Sequence, residues 1–386
     1  MRAVPPSLCG LVLTGGGARA AYQVGALRAL ADLTASGPRG QSPFGVVTAV
    51  SAGSVNGTAI AARAHDFPRA ARELWQLWST LTPDTIYRTD PKSLSSIGSE
   101  WIRDLWLGGL VGAHGINHLL DTAPLRRLLE ARLEHERIAD RIADGTLRGV
   151  ACTATNYATG TAVTFFDGVP EIIPWQRSNR IGVRTRIGVS HVMASAAIPI
   201  FFPPIELGGT WYGDGCVRMS APTSPAIHLG AERLVAIGIR YHRGDLEALA
   251  LNQQPHVDPP VLSEIAGVLL NAVFLDALEA DLELVERINR TLELIPEAHA
   301  ARQPLRPVPV LALRPSEDLG RLAAQQYDRF PRTLRYFLSG IGATGRSGWD
   351  LVSYLAFEPV YIKRLLDLGY RDTMRRADEV QAFFAT

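Results

Sequence analysis

The sequence predicts an α/β fold with a largely parallel sheet and helices on both faces. Three observations carry this reading. Short apolar, β-branched runs of strand length alternate with Ala- and Leu-rich stretches of helix length. The first two runs end in small-residue turns, Thr14-Gly15-Gly16-Gly17 and Ser51-Ala52-Gly53, that lead directly into helical patterns. The 386 residues are 47% apolar and 20% charged, a globular composition that excludes a wholly disordered or collagen-like chain. Strands separated by helices give a sheet covered on both sides.

Leu11-Val12-Leu13 is the first strand, and the Ala- and Leu-rich stretch 18–33, with Tyr22, Leu27 and Leu30 near helical spacing, is the first helix. Phe44 to Val50 is β-branched and apolar, and 54–64 is Ala-rich and helical. Further buried strands are expected at 149–155, 161–166, 234–240 and 308–313. Residues 68–135 break the alternation and read as a helical insertion over one end of the sheet. Residues 260–290 read as one long helix, apolar nearly all round at 265–275 and therefore expected to be buried there. The proline-punctuated 301–309 is a connector, and 323–384 is helical with an interruption near 340–348. There is no internal repeat.

Composition excludes several classes of function. A net charge of +1 leaves no broad electrostatic footprint for nucleic acid. Lys92 and Lys363 are the only lysines, so Schiff-base and P-loop chemistry have almost no candidates. Cys9, Cys152 and Cys216 are widely spaced without a CxxC, which argues against structural zinc and a disulfide framework. Cys9 and Cys152 lie in apolar runs and read as small core residues. The first residues lack the pattern of a signal peptide, and the longest uncharged runs, 41–62 and 187–205, are too rich in Gly, Ser, Thr, Asn and Pro to span a membrane. A soluble, cytoplasmic protein is the expectation.

Three segments carry chemistry. Ser51 stands where a buried strand meets a helix, in Ala49-Val50-Ser51-Ala52-Gly53, a small-residue variant of the G-x-S-x-G turn that presents a nucleophile above a sheet. A plain helix cap is the competing reading of the same serine. The amides of Gly16, Gly17 and Ala18, at a helix start, form an anion-receiving nest. A Walker loop is excluded because no lysine follows. The dinucleotide pattern Gly15-x-Gly17-x-x-Ala20 is met, but the second strand ends in Ser51 where an acidic residue would hold a ribose. An oxyanion hole fits better. Asp214, between Gly213 and Gly215, sits on a tight, exposed turn that also reads as an ordinary Asp-Gly hairpin. The segment from Ala194 to Pro204 is a small-residue helix end followed by an apolar loop, either packing or the wall of an acyl-chain site.

The order of these pieces resembles the patatin-like phospholipase family, bacterial members in particular: Gly15-Gly16-Gly17-x-Arg19, Ser51-Ala52-Gly53, Ala194-Ser195-Ala196-Ala197-Ile198-Pro199, then Asp214-Gly215. The likeness runs from about residue 8 to 230, with local patterns beyond it at 350–355 and 368–370. It implies a three-layer sandwich whose catalytic domain is 8–230, including the insertion at about 68–135. Residues 231–386 would add strands and helices to the same unit. It also implies a Ser51–Asp214 dyad without histidine, an oxyanion hole at Gly15 to Ala18, and supporting roles for Arg19, Gly53 and Gly215. Arg19 would order the glycine loop or the dyad, against the alternative of a surface arginine. Ala49, Ala20 and Cys216 depart from the family pattern but are small.

The implied function is a lipid acyl hydrolase acting on phospholipid or other glycerolipid esters, with no cofactor and no metal. Its rivals are a non-catalytic lipid-binding protein on the same fold and an NAD(P)-binding oxidoreductase. Ser51, Asp214 and His228 have the chain order of an α/β-hydrolase triad, but His228, between Ile227 and Leu229, reads as structural. His114 and His118 lack the spacing of a metal motif. Trp101 and Trp106, among apolar residues of the insertion, suit either a bilayer interface or ordinary core. The oligomeric state is not written in the sequence.

Overall fold

The computed structural model describes residues 8–34, 40–88, 118–253, 259–296, 305–340, 342–343 and 348–385. Among them, one sheet is built from β1 (Cys9–Leu13), β2 (Phe44–Val50), β3 (Gly149–Asn156), β4 (Thr161–Gly168), β5 (Trp175–Arg177), β6 (Arg180–Arg184), β7 (Ile205–Leu207), β8 (Thr210–Asp214), β9 (Arg233–Ile237) and β10 (Val310–Leu313). The order across the sheet is β10-β9-β1-β2-β3-β4-β6-β5. From β10 to β3 every pairing is parallel. β4 then runs antiparallel to β3, and the short β7–β8 hairpin adds β8 antiparallel to the end of β3.

The parallel strands are continuous apolar runs because both faces are covered. Alternation then sends Leu11, Leu13 and Val47 into one core and Val12, Val46 and Ala151 into the other. The first core is covered by α1 (Ala21–Thr34), α2 (Ala52–Ala62), α3 (Phe67–Ser79), α4 (Ala123–Arg132) and α5 (Val189–Ser195). Further along the chain come α6 (Leu262–Phe274), α7 (Asp276–Glu293), α8 (Trp349–Leu355) and α9 (Pro359–Met374). Of these α7 lines the second core, through Leu278, Leu282 and Val285, while α8 and α9 join the first. The result is three layers, as expected.

β1 lies between β2 and β9, so the chain leaves it on one side and returns on the other. Such a reversal opens a crevice at the C-terminal ends of the strands. Gly15–Gly17 follow β1 and Ser51 follows β2, so both turns lie at this crevice.

Three details differ from the sequence reading. The strands β5, β6, β7 and β8 are too short and mixed in character to show as apolar runs. The expected helix 260–290 is two, broken at Leu275. Its apolar part is not buried all round: Leu262, Val268 and Leu269 are each more than 60% exposed, while Ser263, Gly267 and Phe274 face inward. An all-apolar stretch has no polar stripe to mark its outer face. The insertion begins with α3, capped by Asp66, whose carboxylate accepts from the Arg69 amide at 3.1 Å. Trp101 and Trp106 lie outside the described residues. Among the described residues no helix is long and apolar enough to cross a membrane.

α1 and α9 cross at two glycines. A β-carbon on Gly25 would lie 2.1 Å from the Leu366 carbonyl oxygen, and one on Gly369 would lie 2.0 Å from that of Tyr22. Backbone cannot yield as a side-chain tip does, so Gly369→Ala is expected to cost about 2–3 kcal/mol. Urea unfolding checks this value, and an unchanged midpoint would refute the crossing.

Candidate active site

Ser51 adopts φ 56° and ψ −135°, a conformation strained for any residue with a side chain. Small neighbours make it attainable. A β-carbon on Gly53 would meet the Thr14 and Leu13 carbonyls at 2.6 and 2.7 Å, so only glycine lets α2 start this close to β1. The Ser51 carbonyl accepts from the Ser54 amide at 2.8 Å and from the Ser54 hydroxyl at 2.5 Å. Its amide donates to Ser195 Oγ at 2.9 Å. The Ser51 side chain does not cap α2, which removes the competing reading of this residue as a plain cap. Its hydroxyl donates to Asp214 Oδ2 at 2.5 Å. It is 1% exposed, so the serine is enclosed where the sequence pattern suggested an open perch.

Asp214 ends β8, and its Cα is paired with Ala154 of β3. That antiparallel addition carries it across the strand ends to Ser51. Its amide donates to the Ala197 carbonyl at 2.9 Å, and its carbonyl accepts from Thr155 Oγ1 at 2.8 Å. The other carboxyl oxygen accepts from the Cys216 amide at 2.9 Å. The aspartate is fully buried, not set on an exposed hairpin turn as the sequence suggested; the hairpin turn is Gly208-Gly209. Burial raises its pKa to about 7, against the hydrogen bonds from Ser51 and Cys216 that favour the carboxylate. Gly215 is required because a β-carbon there would strike the Thr153 carbonyl oxygen at 2.1 Å.

The glycine loop runs beneath Ser51. A β-carbon on Gly15 would lie 2.5 Å from both Ser51 Cβ and Cys216 Sγ. Gly17, at φ 56°, lies in the left-handed region, and a β-carbon there would meet the Tyr354 carbonyl oxygen at 2.1 Å. The first amide of this turn with a backbone acceptor is that of Arg19, which donates to the Gly16 carbonyl at 3.1 Å. The amides before it, of Gly17 and Ala18, have no partner among the described residues.

Arg19 is 3% exposed and is not a surface arginine. Its guanidinium pairs with Asp350 Oδ1 at 2.9 Å, donates to Ser353 Oγ at 2.7 Å and to Asn271 Oδ1 at 3.3 Å, and lies over the Tyr354 ring. The start of α1 is thereby tied to α8 and α6. Below the loop, Gln23 Nε2 donates to the Thr14 and Ile237 carbonyls, and Asn56 links Gln23 to the indole N–H of Trp78. Sequence reading singled out the pattern at 350–355 without a role for it and missed Asn271, Gln23 and Asn56 altogether. Each acts on a partner distant in the chain, and the one available signal was a polar residue inside an apolar helical pattern.

Above Ser51 lies a narrow slot of about 40 Å³, walled by Leu77, Trp78, Leu81, Leu125, Leu129 and Phe357. It holds at most a few waters, so a longer guest must part these walls. His228 is not part of the site. It stacks on Trp175 with ring centroids 4.6 Å apart, and the next residue, Leu229, packs at Gly149, where β3 begins. Ser51 lies at the other end of the strands. Among the described residues no group of three or more His, Cys, Asp or Glu is placed to hold a metal.

The layout resembles the serine turn of α/β hydrolases, with a carboxyl on the serine hydroxyl where a histidine is usual. The chain belongs to the patatin-like phospholipase family, whose model matches residues 11–227. No curated protein matches it in sequence. Among solved structures it is similar to VipD from Legionella pneumophila, at 12% identity over 97% of this chain and 67% of that one, with TM-score 0.37. It is also similar to the type III effector ExoU of Pseudomonas aeruginosa, at 12% identity over 98% of this chain and 54% of that one, TM-score 0.35. Human GIVD cytosolic phospholipase A2, solved with a fluorophosphonate inhibitor, gives 15%, 96%, 60% and 0.35 for the same measures. This chain thus spans between half and two thirds of the latter two, and the likenesses are too distant to bear on its activity.

Arg19→Met keeps the bulk of the side chain but removes the donor to Asp350 and Ser353, while Asn271 Oδ1 keeps the Tyr354 hydroxyl at 3.0 Å. We expect a loss of about 1.5–3 kcal/mol, the range for hydrogen bonds to a charged group, measured by chemical denaturation. Stability within experimental error of the parent would show that the clamp is idle.

Proposed function

We propose that the chain is a serine acyl hydrolase that cleaves ester bonds of phospholipids or other glycerolipids. The observation that supports it most is the 2.5 Å hydrogen bond from Ser51 Oγ to Asp214 Oδ2 at the foot of an apolar slot. In this reading Ser51 Oγ attacks the ester carbonyl carbon as its proton passes to Asp214. The amides of the loop from Gly15 to Ala18 take up the charge on the carbonyl oxygen. The tetrahedral intermediate expels the alcohol, which receives that proton, and leaves an acyl-serine. A water, deprotonated by Asp214, then releases the fatty acid and restores the hydroxyl.

A carboxylate with an ordinary pKa of about 3.9 is a weak base towards a hydroxyl. Burial answers this by moving Asp214 to about 7, near the working pH, where general-base catalysis is most effective. The dinucleotide alternative has no ribose ligand, since Ser51 stands where the acid would be. Arg19 acts on the loop through its three hydrogen-bonded partners, and the mechanism calls on no cofactor.

Ser51→Ala is expected to abolish turnover of short p-nitrophenyl esters and labelling by a fluorophosphonate probe. Asp214→Asn should lower kcat by at least ~10²-fold, the low end for loss of a general base. His228→Ala should leave it near the parent value, and equal damage at His228 would replace the dyad with a triad.

The pH dependence is also fixed by Asp214. The base works as the carboxylate, so kcat/KM should fall on the acid side with a midpoint near 7. For stability the sign is the reverse. The folded chain holds this proton to about pH 7, whereas the unfolded carboxyl loses it near ~4. Stability is therefore lost between those values as pH rises. Asp214→Asn escapes that loss, so it should melt above the parent at pH 8, with the gap closing towards pH 4. Calorimetry across this range checks it, and a gap independent of pH would contradict a buried, proton-holding Asp214.

The substrates proposed here reside in bilayers, and we extend the reading to work at a membrane surface. The outward apolar residues of α6 support it. Co-sedimentation with phosphatidylcholine vesicles, neutral or made anionic by added phosphatidylserine, should occur and should weaken in Val268→Asp/Leu269→Asp. No sedimentation of the parent would favour a soluble ester.

A further inference from the structure

Ser195 is fully buried at the end of α5, and its hydroxyl is engaged twice. It accepts from the Ser51 amide at 2.9 Å and donates to the Thr153 carbonyl at 2.6 Å. Two residues on, the Ala197 carbonyl accepts from the Asp214 amide at 2.9 Å. One short segment, Ser195 to Ala197, therefore holds the backbone of both members of the proposed dyad and anchors them to β3. The Ser51 amide needs such a partner. At φ 56° and ψ −135° it points away from the α2 ladder, and its surroundings are closed to water. A buried amide without an acceptor costs most of its desolvation energy, and the turn can relieve that cost only by rotating. Rotation about this amide carries the hydroxyl away from Asp214.

We propose that Ser195 is a positioning residue of the reaction: its hydroxyl pins the strained Ser51 amide to β3 and so sets the approach of Ser51 Oγ to Asp214. The proposal rests on the reading of Ser51 as nucleophile. It differs from a packing role in what it predicts. Substrate binding in the slot does not use Ser195, so the loss should fall on kcat with KM nearly constant. Asp214 is faced by the Ser51 hydroxyl, the Cys216 thiol and amide and, more distantly, the Tyr157 phenol. Of these, the Ser51 hydroxyl is the one drawn away when Ser195 is changed, and losing its bond to the carboxylate favours the protonated acid, so the acid limb of the pH profile should move to higher pH.

The test uses the full chain with p-nitrophenyl esters and a fluorophosphonate probe. Ser195→Ala is expected to lower kcat and the labelling rate ~10-fold or more, each factor of ten being 1.36 kcal/mol of barrier. KM should change less than ~2-fold, and Ser195→Thr, which keeps the hydroxyl, should recover most of the rate. Thr164→Val is the stability control, since it deletes the buried Thr164–Thr153 hydroxyl contact of 2.9 Å without touching the dyad. It should lower the melting temperature while kcat stays at the parent value. Should Ser195→Ala not fold, Ser195→Cys keeps the volume with a weak acceptor and is judged by the same criterion. Parent-like kcat in Ser195→Ala, or an equal loss in Thr164→Val, overturns the proposal. Activity surviving in Ser51→Ala, assayed in parallel, would instead overturn the nucleophile assignment beneath it.

Discussion

A carboxyl group cut off from water must either keep its proton or be repaid in hydrogen bonds, and Asp214 does some of each. It takes one bond from the Ser51 hydroxyl and one from the Cys216 amide, yet burial still carries its pKa to about 7. Much of the surrounding structure serves to make that contact possible. β8 exists as a short antiparallel addition to β3 whose last residue is Asp214. Gly215 and Gly15 lack side chains because backbone and thiol occupy the space where a β-carbon would go. The serine turn is held open at a conformation that its own sequence would not choose.

Strain at the turn is sustained by groups drawn from across the chain. Ser54 holds the carbonyl of Ser51 and Ser195 holds its amide. The glycine loop is clamped from the other side, where Arg19 crosses to Asp350 and Ser353, and Tyr354 closes over Gly17. A buried guanidinium is tolerable because its fork is paired and hydrogen-bonded, with an aromatic face beneath it. The C-terminal helices, beyond the residues that match the family, are therefore part of the framework that fixes the loop.

Legibility followed distance along the chain. Ser51, the glycine loop and Asp214 stood out because tight backbone turns demand small residues within a few positions of each other. The dyad geometry and the enclosure of Ser51 did not, because each depends on pairing between distant segments; the strands β5 to β8 did not because they are short hairpin strands of mixed character. Arg19 shows the boundary clearly. Its place after three glycines marked it, but its partner Ser353 lies 334 residues further on. Nothing local distinguishes a buried, paired arginine from a surface one.

The sequence by itself determined the alternation of strands and helices, the family, and the three turns where chemistry could reside. These are set by hydrophobic period and by steric limits on φ and ψ, which act over a few residues. Only the tertiary structure decided that Asp214 is buried with its pKa raised, that Ser195 holds the Ser51 amide, and that α6 turns Val268 and Leu269 outward. Those outcomes depend on which distant groups exclude water from a site. Desolvation is a property of the assembled surroundings, and no stretch of chain carries it alone.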